Sequence, residues 1–353
     1  MSAHLPTARV KTGARKVARK VPPLRTLLNE RDRWRTRVND AEAKAEKLRA
    51  ERNAATAELK STRKLLADSD RERPMGTVRE AFPAGHYYSP IPDLDELRGR
   101  EGEVFDRSRA GLPGIDVHAE EQLALLPEFA SYVAECPFTE QPLDGRRYGF
   151  DNRFFAYGDG LALYCWLRHR KPRRLIEVGS GWSSALTLDV NDLFLGGELE
   201  CTFIEPYPER LNSLLRESDR TRAHVIVKPL HSVGGDVFES LGPGDVLFID
   251  STHVSRVGSD VNRLLLDVVP SLPSGVLVHI HDVFWPFEYP ADWVFAGRAW
   301  NEDYLLRALL IGNDRLRIRW FNDYLHHHHA DAVTAAMPLW ARNPGGSIYL
   351  EVM

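Results

Sequence analysis

Residues 172–206 set an apolar run, a glycine pair and a second apolar run in an order that few folds accommodate. The first run (Leu175, Ile176, Val178) leads into Gly179 and Gly181, and the small hydroxyl residues Ser183 and Ser184 can then open a helix. The second run (Cys201, Phe203, Ile204) ends on a carboxylate, Glu205. The spacing predicts a strand, a tight turn, a helix and a second, parallel strand. Glycine lets backbone N–H groups come close to a ligand, and the helix N-terminus adds a favourable dipole. An acidic side chain about 25 residues further on can accept hydrogen bonds from both hydroxyls of a ribose. A nucleoside-containing cofactor is the inference.

The turn reads Glu177-x-Gly179-x-Gly181 and departs from the dinucleotide fingerprint Gly-x-Gly-x-x-Gly, because its third glycine position is Ser184. No pyrophosphate need sit there. Glu177 would repel one, but could accept a hydrogen bond from a cationic or amino group. S-adenosylmethionine has a ribose, an adenine and a zwitterionic amino acid and no phosphate, so it fits this turn better than a dinucleotide does.

The rest of the chain bounds the surroundings of that unit. A net charge of −4 provides no global attraction to nucleic acid or to an anionic membrane. Cys136, Cys165 and Cys201 are too scattered for a disulfide framework or a thiolate cluster, and the last two sit in apolar runs as small core residues. No apolar stretch approaches the length of a bilayer span and no signal-peptide core is visible, so a cytoplasmic protein is expected. Residues 1–23 form a basic leader, expected to be disordered. Over 24–70, Leu24, Leu27, Trp34, Val38, Ala41, Ala45, Leu48, Ala55, Leu59 and Leu66 fall mostly at spacings of three, four or seven. Arg31, Arg52 and Thr62 interrupt the seam. This predicts a long helix of coiled-coil character, with a homo-oligomer through 24–66 or a solvated single helix as its alternatives. A proline-rich linker and lead-in follows at 71–115, and one globular domain at 116–353.

Within that domain, apolar runs at 224–228, 246–249 and 276–280 alternate with helical patterns. The fold class expected is α/β, a Rossmann-like, doubly wound and mostly parallel sheet with helices on both faces. Ligands in such sheets bind beyond the carboxyl ends of the strands. The residues that end the runs are therefore the informative ones: Glu177, Glu205, Asp250 and His281-Asp282. His231, in the loop after the third run, either borders an adenine or lies on the surface. Asp250 and Asp282, with His253 and His281 nearby, read two ways. They form a divalent-metal site that orients a substrate hydroxyl pair, or a metal-free site in which a histidine takes a proton from the acceptor. Trp285, Glu288 and Tyr289, after the fifth run, either contact the substrate or pack that loop against the sheet. The run His326–His329 lies between recognisable elements; such a run can bind metals in vitro, and whether it does so here stays open at this point.

These motifs carry a family resemblance. Glu-Val-Gly-Ser-Gly-Trp-Ser-Ser (177–184), Ile-Glu-Pro-Tyr-Pro (204–208), Phe-Ile-Asp-Ser-Thr-His-Val (248–254) and His-Ile-His-Asp-Val-Phe-Trp-Pro (279–286) resemble class I S-adenosylmethionine-dependent methyltransferases. The likeness is to a bacterial branch related to sugar and antibiotic O-methyltransferases and to cephalosporin hydroxylase-like proteins, and it covers about residues 145–353. The resemblance implies that Glu177, Gly179, Ser180 and Gly181 form the cofactor loop and that Glu205 holds the ribose. It implies that Asp159, just ahead of that loop, either reaches the methionine end or caps its helix. It also implies that Asp250 and Asp282 match positions that hold magnesium in metal-dependent relatives. Those relatives have two adjacent acidic or amide ligands after the fifth strand, where this chain has His281-Asp282. The activity implied is methyl transfer to oxygen of a small molecule or glycan, with no nucleic-acid partner. A non-catalytic scaffold and a metal-dependent hydroxylase-like enzyme are the competing readings.

Overall fold

The runs at 174–178 and 201–204 become neighbouring strands because each is buried on both faces, as a sheet covered by helices requires. In the computed structural model, which describes residues 81–353 together with 29–33 and 44, the strands are β1 (Arg174–Val178), β2 (Glu200–Ile204), β3 (Ala223–Ile226), β4 (Val246–Ile249), β5 (Leu277–Ile280), β6 (Leu316–Phe321) and β7 (Ile348–Val352). They form one seven-stranded sheet in the order β3-β2-β1-β4-β5-β7-β6. The first five are parallel, and β7 runs antiparallel to both β5 and β6. Leu175 of β1 pairs with Cys201 on one side and Val246 on the other, so the strand order reverses at β1/β4. A crevice opens at that point beyond the carboxyl ends.

The antiparallel pair closes the sheet and extends beyond the sequence expectation. β6 alternates, with Leu316, Ile318 and Trp320 inward and Arg317 and Arg319 outward, where both guanidiniums meet Glu121. Cys165 and Cys201 are buried in the core as expected.

Three helices position the site. In α1 (Tyr157–Arg170), Gly158 to Leu167 are all buried, and the basic Arg168, His169 and Arg170 complement the dipole of the last turn. α2 (Trp182–Phe194) starts directly after the glycine pair, with the Ser184 hydroxyl accepting from the Gly181 N–H at 3.0 Å. α3 (Asn322–Ala336) follows β6 and carries His326 to His329 on a face that turns from exposed to half-buried, with a break in helical geometry at His329.

The chain divides into two compact units, Met1–Ala81 and Phe82–Met353. In the first, 29–33 and 44 are helical, and the remainder of the expected leader and long helix lies outside the described residues. In the second, much of the stretch read as lead-in packs with the sheet domain. Leu112 joins the core, the Trp285 Nε1–H donates to the Arg109 carbonyl at 2.9 Å, and Gly312 N–H donates to Gly114 at 2.8 Å.

Candidate active site

The parallel ladder runs one residue past each strand and brings the strand ends together. Asp250 N–H donates to the Val178 carbonyl at 2.8 Å, His281 N–H to Ile249 at 2.9 Å and Gly179 N–H to Ile204 at 3.0 Å. Gly179 has φ +81°, and a Cβ there would lie 1.7 Å from the Asp250 carbonyl oxygen. Only glycine lets β1 turn so close to β4.

On the β2 side, Glu205 accepts from the Ser180 N–H at 3.0 Å and from the Tyr207 N–H at 2.8 Å. The carboxylate is thus fixed at the rim of a cavity of about 730 Å³ lined by Gly179, Tyr207, Leu230, Asp250 and Asp260 among others. His231 is exposed on the same rim. Glu177 is placed differently from the sequence expectation. It is wholly buried beneath the turn, where its two oxygens accept from the Ser183 hydroxyl and, at 2.9 Å, from Ser184. Burial pushes its carboxyl up to about 8, against the pull of those hydroxyls. Its side chain holds the turn to the helix.

Beyond β4 and β5 lies a cluster of carboxylates and imidazoles. His253, with φ +58°, is buried, and its Nδ1 lies 2.9 Å from Glu302 Oε2. Its Nε2 faces Asp250 Oδ1 at 3.4 Å and Asp282 Oδ2 at 3.7 Å. His281 Nδ1 lies 3.5 Å from Asp250 and 3.6 Å from Asp282, and its Nε2 lies 3.4 Å from Asp159. Neither ring nitrogen of His281 is taken by a hydrogen bond. Desolvation opposes charge on Asp250, yet the imidazoles of His281 and His253 hold its carboxyl well below the usual range. Burial likewise opposes the imidazolium of His253, but Asp250 and Glu302 push it up to about 10. His281 is raised well above its ordinary value by Asp282, Asp250 and Asp159, again against burial. Burial pushes up the carboxyls of Asp282 and Glu302. Carboxylates outnumber imidazoles here, so the cluster suits a cation. One ligand atom each from Asp250, His253 and Asp282 lies within 4.8 Å of the others, a donor set of oxygen and imidazole nitrogen apt for a divalent ion.

A second cavity, of about 550 Å³, borders His281, Asp282 and Asp159. Asp159 stands in the first turn of α1 without capping it, accepting from Ser347 Oγ at 2.6 Å and Asn322 Nδ2 at 3.1 Å. Gly345 (φ +74°) lies against it, leaving no room for a Cβ. The aromatic wall is made by Phe284, Trp293 and Trp300, not by the residues singled out in the sequence. Trp285 and Tyr289 are buried in the core, with Trp285 against Tyr324, and Glu288 accepts from the Tyr304 hydroxyl. Alternation along a loop does not reveal which side chains turn inward, and here the larger ones do. Glu302, Trp293 and Trp300 were not singled out; the polar Asn-Glu-Asp run that follows Trp300 is the signal that could have found two of them.

Residues 176–283, which hold most of this machinery, match the family model for a methyltransferase domain, Methyltransf_24. An uncharacterized protein of Archaeoglobus fulgidus is 37% identical over 169 residues, covering 46% of this chain and 75% of that protein. Among solved structures, the chain is similar to SAH-bound Podospora anserina methyltransferase PaMTH1 (16% identity, 75% of this chain and 99% of that one, TM-score 0.35). It is also similar to the O-methyltransferase TomG from Streptomyces achromogenes in complex with SAM (17% identity, 65% and 89%, TM-score 0.35). The matched segment runs from β1 to just past the end of β5, and the chain belongs to the class I S-adenosylmethionine-dependent methyltransferase family.

Proposed function

We propose that the enzyme methylates a hydroxyl oxygen of a small molecule or glycan, with the methyl donor beside Glu205 and the acceptor beside His281 and Asp282. One observation carries this reading. Asp250 lines the donor cavity, and its Oδ1 lies 3.5 Å from Nδ1 of His281, which lines the other cavity. The two cavities therefore meet across a single set of side chains, as transfer between two bound molecules requires.

Glycine at 179 lets the turn close against the Asp250 backbone at the edge of the cavity, and Glu205 offers an oriented carboxylate to a ribose. When bound, S-adenosylmethionine supplies an electrophilic methyl group on a sulfonium. Asp250, Asp282 and His253 Nε2 are proposed to hold a divalent cation such as magnesium, and Glu302 fixes the His253 ring through Nδ1. Such a cation, when bound, lowers the pKa of a coordinated hydroxyl. His281 has the Asp159 carboxylate 3.4 Å from Nε2 and takes the acceptor proton at Nδ1. It must start neutral to do so, which requires the charge on Asp250 and Asp282 to be compensated.

Calorimetry with S-adenosylhomocysteine tests the donor half. The wild type is expected to bind, and Glu205→Gln to weaken binding by roughly tenfold or more through loss of charge-assisted hydrogen bonds. An unchanged affinity in the variant would remove Glu205 from the donor site.

A further inference from the structure

We infer that the acceptor is a hydroxylated ring bearing an anionic group, a carboxylate or a phosphate. The ring lies on the Trp293–Trp300 wall and the anion is held at the rim by Arg153 and Arg298. This rests on the methyl-transfer reading and specifies its substrate class.

The floor of the acceptor cavity is acidic, with Asp159 and Asp282 beside His281. The carboxylates of that floor are committed to the cation and to His281, which face the acceptor hydroxyl, so a negative group elsewhere on the acceptor needs a counter-charge of its own. The rim offers one. Arg153 and Arg298 both border the cavity, both are exposed, and neither side chain makes a hydrogen bond or ion pair with another described residue. Most guanidiniums around the sheet behave otherwise: Arg147, Arg168, Arg170, Arg319 and Arg342 each meet a carboxylate.

Arg298 is also held in place. Its guanidinium carbon stands 4.0 Å over the Trp293 ring and 5.2 Å from the Trp300 ring. Stacking fixes the guanidinium plane and leaves its N–H edge free, an arrangement matched to a planar or tetrahedral oxyanion. The two indoles cross at 88° with centroids 5.5 Å apart, and Phe284 braces Trp293 at 5.1 Å. Trp300 in turn lies 4.4 Å from the His253 ring. An unbroken path thus runs from cationic rim to aromatic wall to carboxylate–imidazole floor. A volume of about 550 Å³ accommodates a molecule of one or a few rings.

The test uses the full chain with S-adenosylmethionine and magnesium, and reads methyl transfer to matched acceptors: 3,4-dihydroxybenzoate against catechol, glucuronate against glucose, and glucose 6-phosphate against glucose. At least one anionic member should exceed its neutral partner in kcat/KM by roughly tenfold or more, mainly through KM, as expected for charge-assisted hydrogen bonds. The carboxylate and phosphate arms, and the aromatic and sugar arms, separate the sources of the anion and of the ring. In R153A/R298A that preference should vanish while the affinity for S-adenosylhomocysteine stays unchanged. Equal use of neutral and anionic partners would overturn the proposal, as would a preference that survives the double substitution. So would S-adenosylhomocysteine binding without transfer to, or calorimetric binding of, any anionic member, and the methyl-transfer reading would then stand. Failure to bind S-adenosylhomocysteine at all would sink that reading and this proposal with it.

Discussion

Glu177 is a carboxyl with no water around it and two serine hydroxyls on its oxygens. An unfolded chain would ionise it near 4.5, whereas the folded protein keeps the proton up to about 8. Between those values the unfolded state binds fewer protons than the folded one, so this group's contribution to stability falls as pH rises through the window and is level above it. Glu177→Gln should therefore flatten the pH dependence. Thermal midpoints of wild type and variant, measured between about pH 5 and about pH 8, should differ most at the alkaline end in the variant's favour. Parallel curves would refute the assignment. The sequence reveals that an acid sits before the glycine pair, but not which way it faces. That orientation is set by Ser183 and Ser184 on the far side of the turn, and a linear pattern records no such pairing.

At the scale of elements, Arg147 pins the approach to α1 onto α2. Its Nη1 lies 2.6 Å from Asp189 and 2.9 Å from Asp192, its Nε donates to Asp219 at 2.7 Å, and its side chain is 1% exposed. Arg147→Met would leave those carboxylates without their partner, and is expected to cost about 3–5 kcal/mol in urea unfolding. A loss below about 1 kcal/mol, the median for exposed pairs, would show that water reaches the network. The strand ends that border the two cavities were legible because an apolar run has a visible end: Glu205, Asp250 and His281-Asp282 were placed in that way. β6 and β7 were not, since β6 interleaves arginines with apolar residues and neither strand terminates in a chemical group. The same blindness hides Glu302 and Trp293. They reach the site from segments after β5 whose course is fixed by packing against Phe284 and His253.

For the whole molecule, the core that encloses the sheet is built from residues beyond 111, and the unit Phe82–Met353 is compact by itself. A fragment of 82–353 is expected to fold and to bind S-adenosylhomocysteine with the affinity of the full chain, as calorimetry on both would establish. A loss of binding in the fragment would make the N-terminal segment part of the site. Light scattering on the same pair addresses the oligomer proposed through 24–66. A larger species for the full chain alone supports it, and equal oligomeric states would refute it. Among the described residues, no helix is long and apolar enough to cross a membrane.

Asp250 stands in the wall of one cavity and within reach of the imidazole that lines the other. A side chain with two such neighbours cannot change its protonation, its rotamer or its company for the sake of one without the other responding. Donor and acceptor affinities become reciprocal quantities: whatever factor one ligand imposes on the other is returned in equal measure.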